Sequence, residues 1–344
     1  MKHRRVTIKD VAAAADVSIT TVSHVLNDVP GLRVNPTTRE RILEATEKLG
    51  YVPNRLAQSL RTRRSDTIGL VGDEIATTPF AGKMILGVQE IALQRDVVLF
   101  VVSTGYQQDV ETREIDELLR RQVDGIIYAS MFHRKLEVPA QLKSVPTVFL
   151  NAECLTPGIP WIVPDEVAGG YDAATLLLNA GHKRLGYIDN IDDIPASSGR
   201  IHGFKKRLME TGMETALTTR SAESNAHSGY VAAMDLLTRD GRPSAIFCFN
   251  DRIAMGAYRA ASELGLRVPE DISIMGFDNQ DFVADGLFPG LTTIELPHYD
   301  MGIWAAEQLF RLIDDENLDS YSCHLRGPVI QRDSIATAKY EKGI

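Results

Sequence analysis

From Thr67 to about Gly276 two kinds of segment alternate, and this alternation restricts the fold more than any other feature. Short unbroken apolar runs predict strands at Thr67–Val71, Val97–Val102, Gly125–Tyr128, Thr147–Leu150, Leu185–Asp189, Ala245–Phe249 and Ile272–Gly276. Between them, apolar residues recur at helical spacing near Gly82–Leu93, Val110–Arg121, Val167–Asn179, Gly203–Thr211, Asn225–Leu237 and Arg252–Leu264. A strand apolar at consecutive positions must be covered on both faces, and the intervening helices supply that cover. The expected body is therefore α/β with parallel strands. The strands are too many for one small sheet, so two similar lobes are expected.

The first 50 residues read differently, as three short helices. Thr7 precedes Asp10 by three positions, an aspartate form of the capping box, and Val11, Ala12 and Ala15 make a small apolar face. Asp16-Val17 forms a tight turn. Ser18 caps a second helix in which Val22, Val25 and Leu26 face inward. Asn35-Pro36-Thr37 opens a third helix, with Ile42, Ala45 and Leu49 inside and Gly50 as its stop. Residues 51–66 follow as a linker. There Pro53 breaks the chain, Asn54 caps a helix too short to persist alone in water, and Arg55, Arg61, Arg63 and Arg64 surround it.

Charge divides along the same boundary. Residues 1–64 carry 12 Lys/Arg against 6 Asp/Glu, whereas the remaining 280 carry 25 against 40. A basic head on an acidic body suggests an appended nucleic-acid module, although the net charge of −9 alone argues the other way. The start of the second helix fits a reader of the major groove, where small polar side chains near a helix N-terminus reach base edges. Ser18, Thr20, Thr21, Ser23 and His24 supply them, and Ile19 suits a thymine methyl.

Other classes lack their signatures. The three cysteines, Cys154, Cys248 and Cys323, form neither a C-x-x-C pair nor a disulfide framework. There is no apolar run of membrane length and no signal-peptide core, which fits a cytoplasmic protein without a membrane partner. The hydrolase elbow, zinc-protease, P-loop and dinucleotide-binding motifs are all missing. No enzyme activity, metal or cofactor is expected. Asp192-Asp193 and Asp314-Asp315 read as solvated surface charge.

Three ordered segments carry a family resemblance: VTIKDVAAAADVSITTVSHVLN (6–27), TRERILEATEKLGYVPNRLAQSL (38–60) and FNDRIAMGAYRAASELGLRVPEDISIMGFD (249–278). They make the chain similar to the lactose-repressor/galactose-repressor (LacI/GalR) family of bacterial transcription regulators. The resemblance implies an N-terminal helix-turn-helix DNA-binding head (1–50), a hinge helix and linker (51–66), and a two-lobed effector-binding and dimerisation domain (67–344). That domain would have the periplasmic-binding-protein-like fold, with three crossovers between parallel-sheet lobes. The expected protein is a homodimeric repressor on a pseudo-palindromic double-stranded operator, controlled by a small-molecule effector such as a sugar or a polyol like inositol. A corepressor-dependent regulator with a non-sugar ligand, or a solute-binding protein, is the alternative.

The resemblance also assigns residues. Thr7, Ser18, Ile19, Thr20, Thr21, Ser23, His24 and Asn27 fall on the DNA-contacting head, with His24 where many members carry arginine. Asn54, Arg55, Ala57 and Leu60 fall on the hinge helix, with Leu60 as a wedge in the minor groove. Effector contacts are expected from Asp73, Thr77, Phe80, Asn151, Arg200, Asn250 and Asp278, because ligands in such folds sit beyond the carboxyl ends of strands. Each has a plainer alternative. Asp278 could cap a turn, Arg200 could pair with a structural carboxylate, and Asn250 with Asp251 could cap a helix.

Overall fold

The computed structural model describes residues 6–26, 34–51, 64–74, 81–318 and 320–338. The chain divides into two compact units, Met1–Ser65 and Asp66–Ile344.

The first unit holds α1 (Ile8–Ala15), α2 (Ile19–Leu26) and α3 (Pro36–Leu49) around one small core. Val11, Ala12, Ala15, Val22, Val25, Ile42 and Ala45 fill it. The local signals act as read. Asp10 accepts hydrogen bonds from the Thr7 backbone N–H and hydroxyl at 2.8 and 2.7 Å. Asp16 takes the left-handed conformation (φ 50°) that turns the chain between α1 and α2. Ser18 Oγ accepts from the Thr21 N–H (3.1 Å), and Asn35 Oδ1 accepts from the Thr37 N–H (3.1 Å).

The second unit contains two six-stranded sheets. The first has the order β11-β5-β4-β3-β1-β2, and the second β12-β10-β9-β8-β6-β7. In the first, β1 is Thr67–Gly72, β2 Val98–Ser103, β3 Gly125–Leu136, β4 Thr147–Cys154, β5 Trp161–Pro164 and β11 Ser322–Leu325. In the second, β6 is Leu185–Asn190, β7 Leu217–Ala222, β8 Ala245–Cys248, β9 Ser273–Asp278, β10 Thr292–Glu295 and β12 Val329–Ile330. Pairing is parallel except between β10 and β12. The chain crosses between lobes three times: after β5, after β10 and after β11. The Glu166–Asn179 helix therefore packs into the second lobe, and His298–Ile313 into the first, through Met301, Ala305 and Leu309.

Several elements differ from expectation. β3 continues past Tyr128 to Leu136, with a register shift between Ala129 and Arg134. The helix expected at Gly203–Thr211 starts eight residues earlier, at Pro195. Gly199 and Gly203 look like breakers in the sequence, but they permit close helix packing: a Cβ on Gly203 would meet the Val167 carbonyl, and one on Gly170 the Arg200 carbonyl. β5, β7, β10, β11 and β12 were not anticipated. Most are four residues or fewer, and β7 is largely exposed.

Candidate functional site

The loops beyond the carboxyl ends of both sheets enclose a cavity of about 200 Å³. The first lobe contributes Met131, Phe132 and His133 from β3 and Asn151 from β4. The second contributes Asn190 from β6, Arg200 from its first helix after β6, Asn250 and Arg252 after β8, and Asp278 from β9. Glu166 and His298 come from the crossovers. A cavity closed by two sheets and two crossing segments changes shape whenever the lobes shift.

At its floor lies a buried ion cluster. Arg200, 3% exposed, donates from Nε to Glu166 Oε2 (2.7 Å) and from Nη1 to the Phe249 carbonyl (2.6 Å) and Asp278 Oδ1 (3.4 Å). Its guanidinium lies over the rings of Phe277 and Phe249, 3.7 and 4.4 Å from their centroids. Burial pushes the Glu166 pKa up, but Arg200 and His133 outweigh it and leave it below the ordinary carboxylate value. Burial raises Asp278, and Arg200 only partly offsets that. Burial likewise lowers Arg200, yet Glu166 and Asp278 together hold it above the usual guanidinium value.

Asn151 and Asp278 share an uncommon backbone, at φ 59° and 104°. Residues held at positive φ without being glycine concentrate at functional sites, because the surrounding structure must stabilise them. Asn151 is fixed by its Nδ2 donating to the Ser130 carbonyl (3.0 Å), and Asp278 by Gln280 Nε2 donating to its Oδ2 (2.9 Å). His298 is buried in the wall, and desolvation lowers its pKa to about 4, so it presents a neutral imidazole.

Four of the seven expected effector contacts thus line one cavity: Asn151, Arg200, Asn250 and Asp278. Two plainer alternatives also hold. Arg200 pairs with structural carboxylates, and Asn250 caps the Asp251–Glu263 helix through Oδ1, which accepts from the Ile253 N–H (3.0 Å). Asp73 does not line this cavity. Its carboxylate accepts from the Met131 N–H (3.0 Å) and Ser130 Oγ (3.1 Å) and pairs with Arg134, beside a separate cavity with Tyr106 and Tyr128. Thr77 and Phe80 lie outside the described residues. Asp192, expected as plain surface charge, is exposed but stands in the cavity wall.

Sequence reasoning missed Phe132, His133, Glu166, Asn190 and Arg252. Asn190 and Arg252 had a usable signal, since Asn190 ends β6 and Arg252 follows shortly after the apolar run of β8. Phe132 and His133 had none, because β3 was expected to end before them.

Asp251, fully buried behind the cavity, accepts from Thr293 Oγ1 and from the Gln280 N–H, both at 2.7 Å. Burial first, and Asp278 second, raise its pKa to about 7. A carboxyl with a raised folded-state value binds more protons folded than unfolded. It therefore costs stability as pH rises from the ordinary carboxylate range to about 7, and no more above that. Asp251→Asn is expected to flatten that part of the stability–pH curve in urea titrations; an unchanged slope would contradict the assignment.

On the head, α2 presents Ser18, Ile19 and Thr20 as exposed residues, with Thr21, Ser23 and His24 half-buried beside them. Ile19 is 44% exposed although apolar. Thr7 is exposed at the start of α1. Asn27, Asn54, Arg55, Ala57 and Leu60 lie outside the described residues. Among the described residues no group of His, Cys, Asp and Glu is arranged to hold a metal ion, and no helix is long and apolar enough to cross a membrane.

Comparison with known proteins agrees with both units. Residues 7–54 match the family described as bacterial regulatory proteins, lacI family, and residues 65–332 match periplasmic binding proteins and sugar binding domain of LacI family. Catabolite control protein A of Priestia megaterium is 33% identical, over 92% of this chain and 95% of its own length. The ribose operon repressor of Haemophilus influenzae is 32% identical, over 97% of this chain and 99% of its own. Among solved structures, the lac repressor dimer bound to operator and the anti-inducer ONPF aligns with a TM-score of 0.80 at 26% identity, covering 97% of this chain and 100% of that one.

Proposed function

The chain belongs to the LacI family of bacterial regulatory proteins, DNA-binding and ligand-responsive repressors of transcription rather than enzymes, and from that premise we propose that it acts as a homodimer on a pseudo-palindromic operator under the control of a neutral sugar or polyol. Ser18, Ile19, Thr20, Thr21, Ser23 and His24 of each head read one half-site, with Thr7 and Asn27 as further proposed contacts. The segment holding Asn54, Arg55, Ala57 and Leu60 enters the minor groove between the half-sites. Two-fold symmetry of the protein matches that of the DNA. The ligand acts by binding one arrangement of the lobes better than the other.

The cavity carries the effector reading. Its charged wall residues largely cancel: Arg200 is held between Glu166 and Asp278, leaving Asp192 and Arg252. An anionic metabolite finds no uncompensated cationic cradle there. The volume lies below the roughly 300–1,000 Å³ of drug-sized ligand sites, which suits a monosaccharide or a cyclitol such as inositol. Phe132, 40% exposed, supplies an aromatic face for a sugar ring. The ribose operon repressor among the relatives is consistent with this class. Asn151, Asn250 and Asp278 add polar groups to the same wall; Asp73, Thr77 and Phe80 remain proposed contacts on the family resemblance alone.

Dimerisation is supported by exposed apolar surface. β2 is an edge strand showing Val98, Phe100 and Val101, and the preceding Ala81–Gln94 helix shows Leu86 and Leu93. In the second lobe Phe282 and Phe288 are 94% and 98% exposed. Unpaired apolar edges of this kind mark interaction surfaces. Val101→Glu is expected to convert the protein to monomers in sedimentation velocity and to weaken operator binding with it. A dimeric Val101→Glu protein would remove β2 from the interface.

A further inference from the structure

We infer that ligand selectivity is set by Asn190 and Arg252, two residues of the cavity wall that each hold a buried polar atom without a partner. This rests on reading the cavity as the effector site. Asn190 Oδ1 and Arg252 Nε are buried side-chain atoms without a hydrogen-bond partner, and both residues line the cavity. Native proteins leave few such groups, because each costs its full desolvation penalty. Two in one cavity wall define what a ligand must offer.

Each atom has a fixed role. His133 is not a third such group: its Nε2 lies 3.1 Å from Glu153 Oε1 and its Nδ1 3.9 Å from Glu166 Oε1, so both ring nitrogens face carboxylates. Asn190 Nδ2 donates to Asp192 Oδ2 (3.4 Å), which sets the amide orientation and leaves Oδ1 as the free acceptor. Arg252 Nη2 is engaged with Ser224 Oγ (3.4 Å), and Nε is the free donor. One acceptor and one donor form a pattern that a hydroxyl group satisfies completely, since it both donates and accepts. A phosphate or carboxylate of similar size meets only Arg252 and leaves the Asn190 acceptor unpaired. Arg200, by contrast, already spends Nε and Nη1 on Glu166, Asp278 and the Phe249 carbonyl. It shapes the floor more than it discriminates between ligands.

The test uses the full chain in calorimetric titrations with D-ribose, D-glucose, myo-inositol and D-glucose 6-phosphate. At least one neutral probe is expected to bind, and the phosphate ester to bind at least tenfold more weakly than glucose. Asn190→Leu and Arg252→Met are each expected to weaken the neutral probe roughly 10- to 100-fold. Their melting temperatures and operator affinities should stay near the parent's. Deoxy analogues of the binding probe supply a readout that a structural role would not move: a deletion that costs the parent protein affinity should cost little in the variant lacking its partner. Normal binding of a neutral probe by both variants would overturn the assignment and leave the cavity reading standing. Binding of glucose 6-phosphate alone, or of none of the four probes, would overturn both.

Discussion

Arg200→Ala is expected to destabilise the second unit by about 3–5 kcal/mol, the cost of leaving a buried ion cluster without its central partner. The side chains of Glu166 and Asp278 are 5% and 8% exposed, so neither carboxylate can be fully rehydrated once Arg200 is gone. The acid range adds a second signature. Glu166 has a lowered pKa in the intact protein, so its pairing contributes stability above the ordinary carboxylate value. That contribution is lost as pH falls through the folded-state value. In Arg200→Ala it is absent, and the gap between variant and parent should narrow as the carboxylates protonate. Replacing all three residues together, as Glu166→Gln, Arg200→Met and Asp278→Asn, should cost less than the single change, because no lone charge remains buried. Urea titrations at neutral and acid pH measure each case. A single variant within 1 kcal/mol of the parent would show that the cluster is not a structural unit.

Removal of residues 1–65 has the larger functional consequence. The head is the basic part of the chain, and residues 65–344 carry 25 Lys/Arg against 40 Asp/Glu. Phosphate attraction dominates DNA affinity, so an acidic body alone is repelled by the duplex. The truncated protein is expected to lose at least the roughly 10³-fold preference for specific over non-specific DNA. It should keep the parent's thermal shift with whichever neutral probe binds, because the body is a separate compact unit. Retained operator binding in fluorescence anisotropy would contradict this division between reading and sensing.

Much of this was legible in the sequence because the physics was local. The caps at Thr7, Ser18 and Asn35 and the inward stripe of Val22 and Val25 decide the head within a few residues of themselves. The buried parallel strands announce themselves as apolar runs. The edges escaped for the opposite reason: β7 and β11 are half exposed and lack a continuous apolar run, and β12 spans two residues. The early start at Pro195 was hidden by Gly199 and Gly203, whose meaning depends on which helix lies against them. The cavity shows the same split. Arg200 and Asp278 could be nominated from motif and strand end, but their mutual pairing is a tertiary fact. The open valence of Asn190 becomes visible only when Asp192 is seen to occupy its other atom.

On the proposed function, one protein couples a ligand held between its lobes to DNA held by its heads. Linkage makes this measurable from both sides, since each ligand must change the affinity of the other by the same factor. We expect the neutral probe to weaken operator binding in anisotropy titrations by a factor of roughly 5–150, and saturating operator to weaken probe binding in calorimetry by that same factor. A corepressor would strengthen both equally. Probe affinity that is identical with and without operator would contradict the coupling.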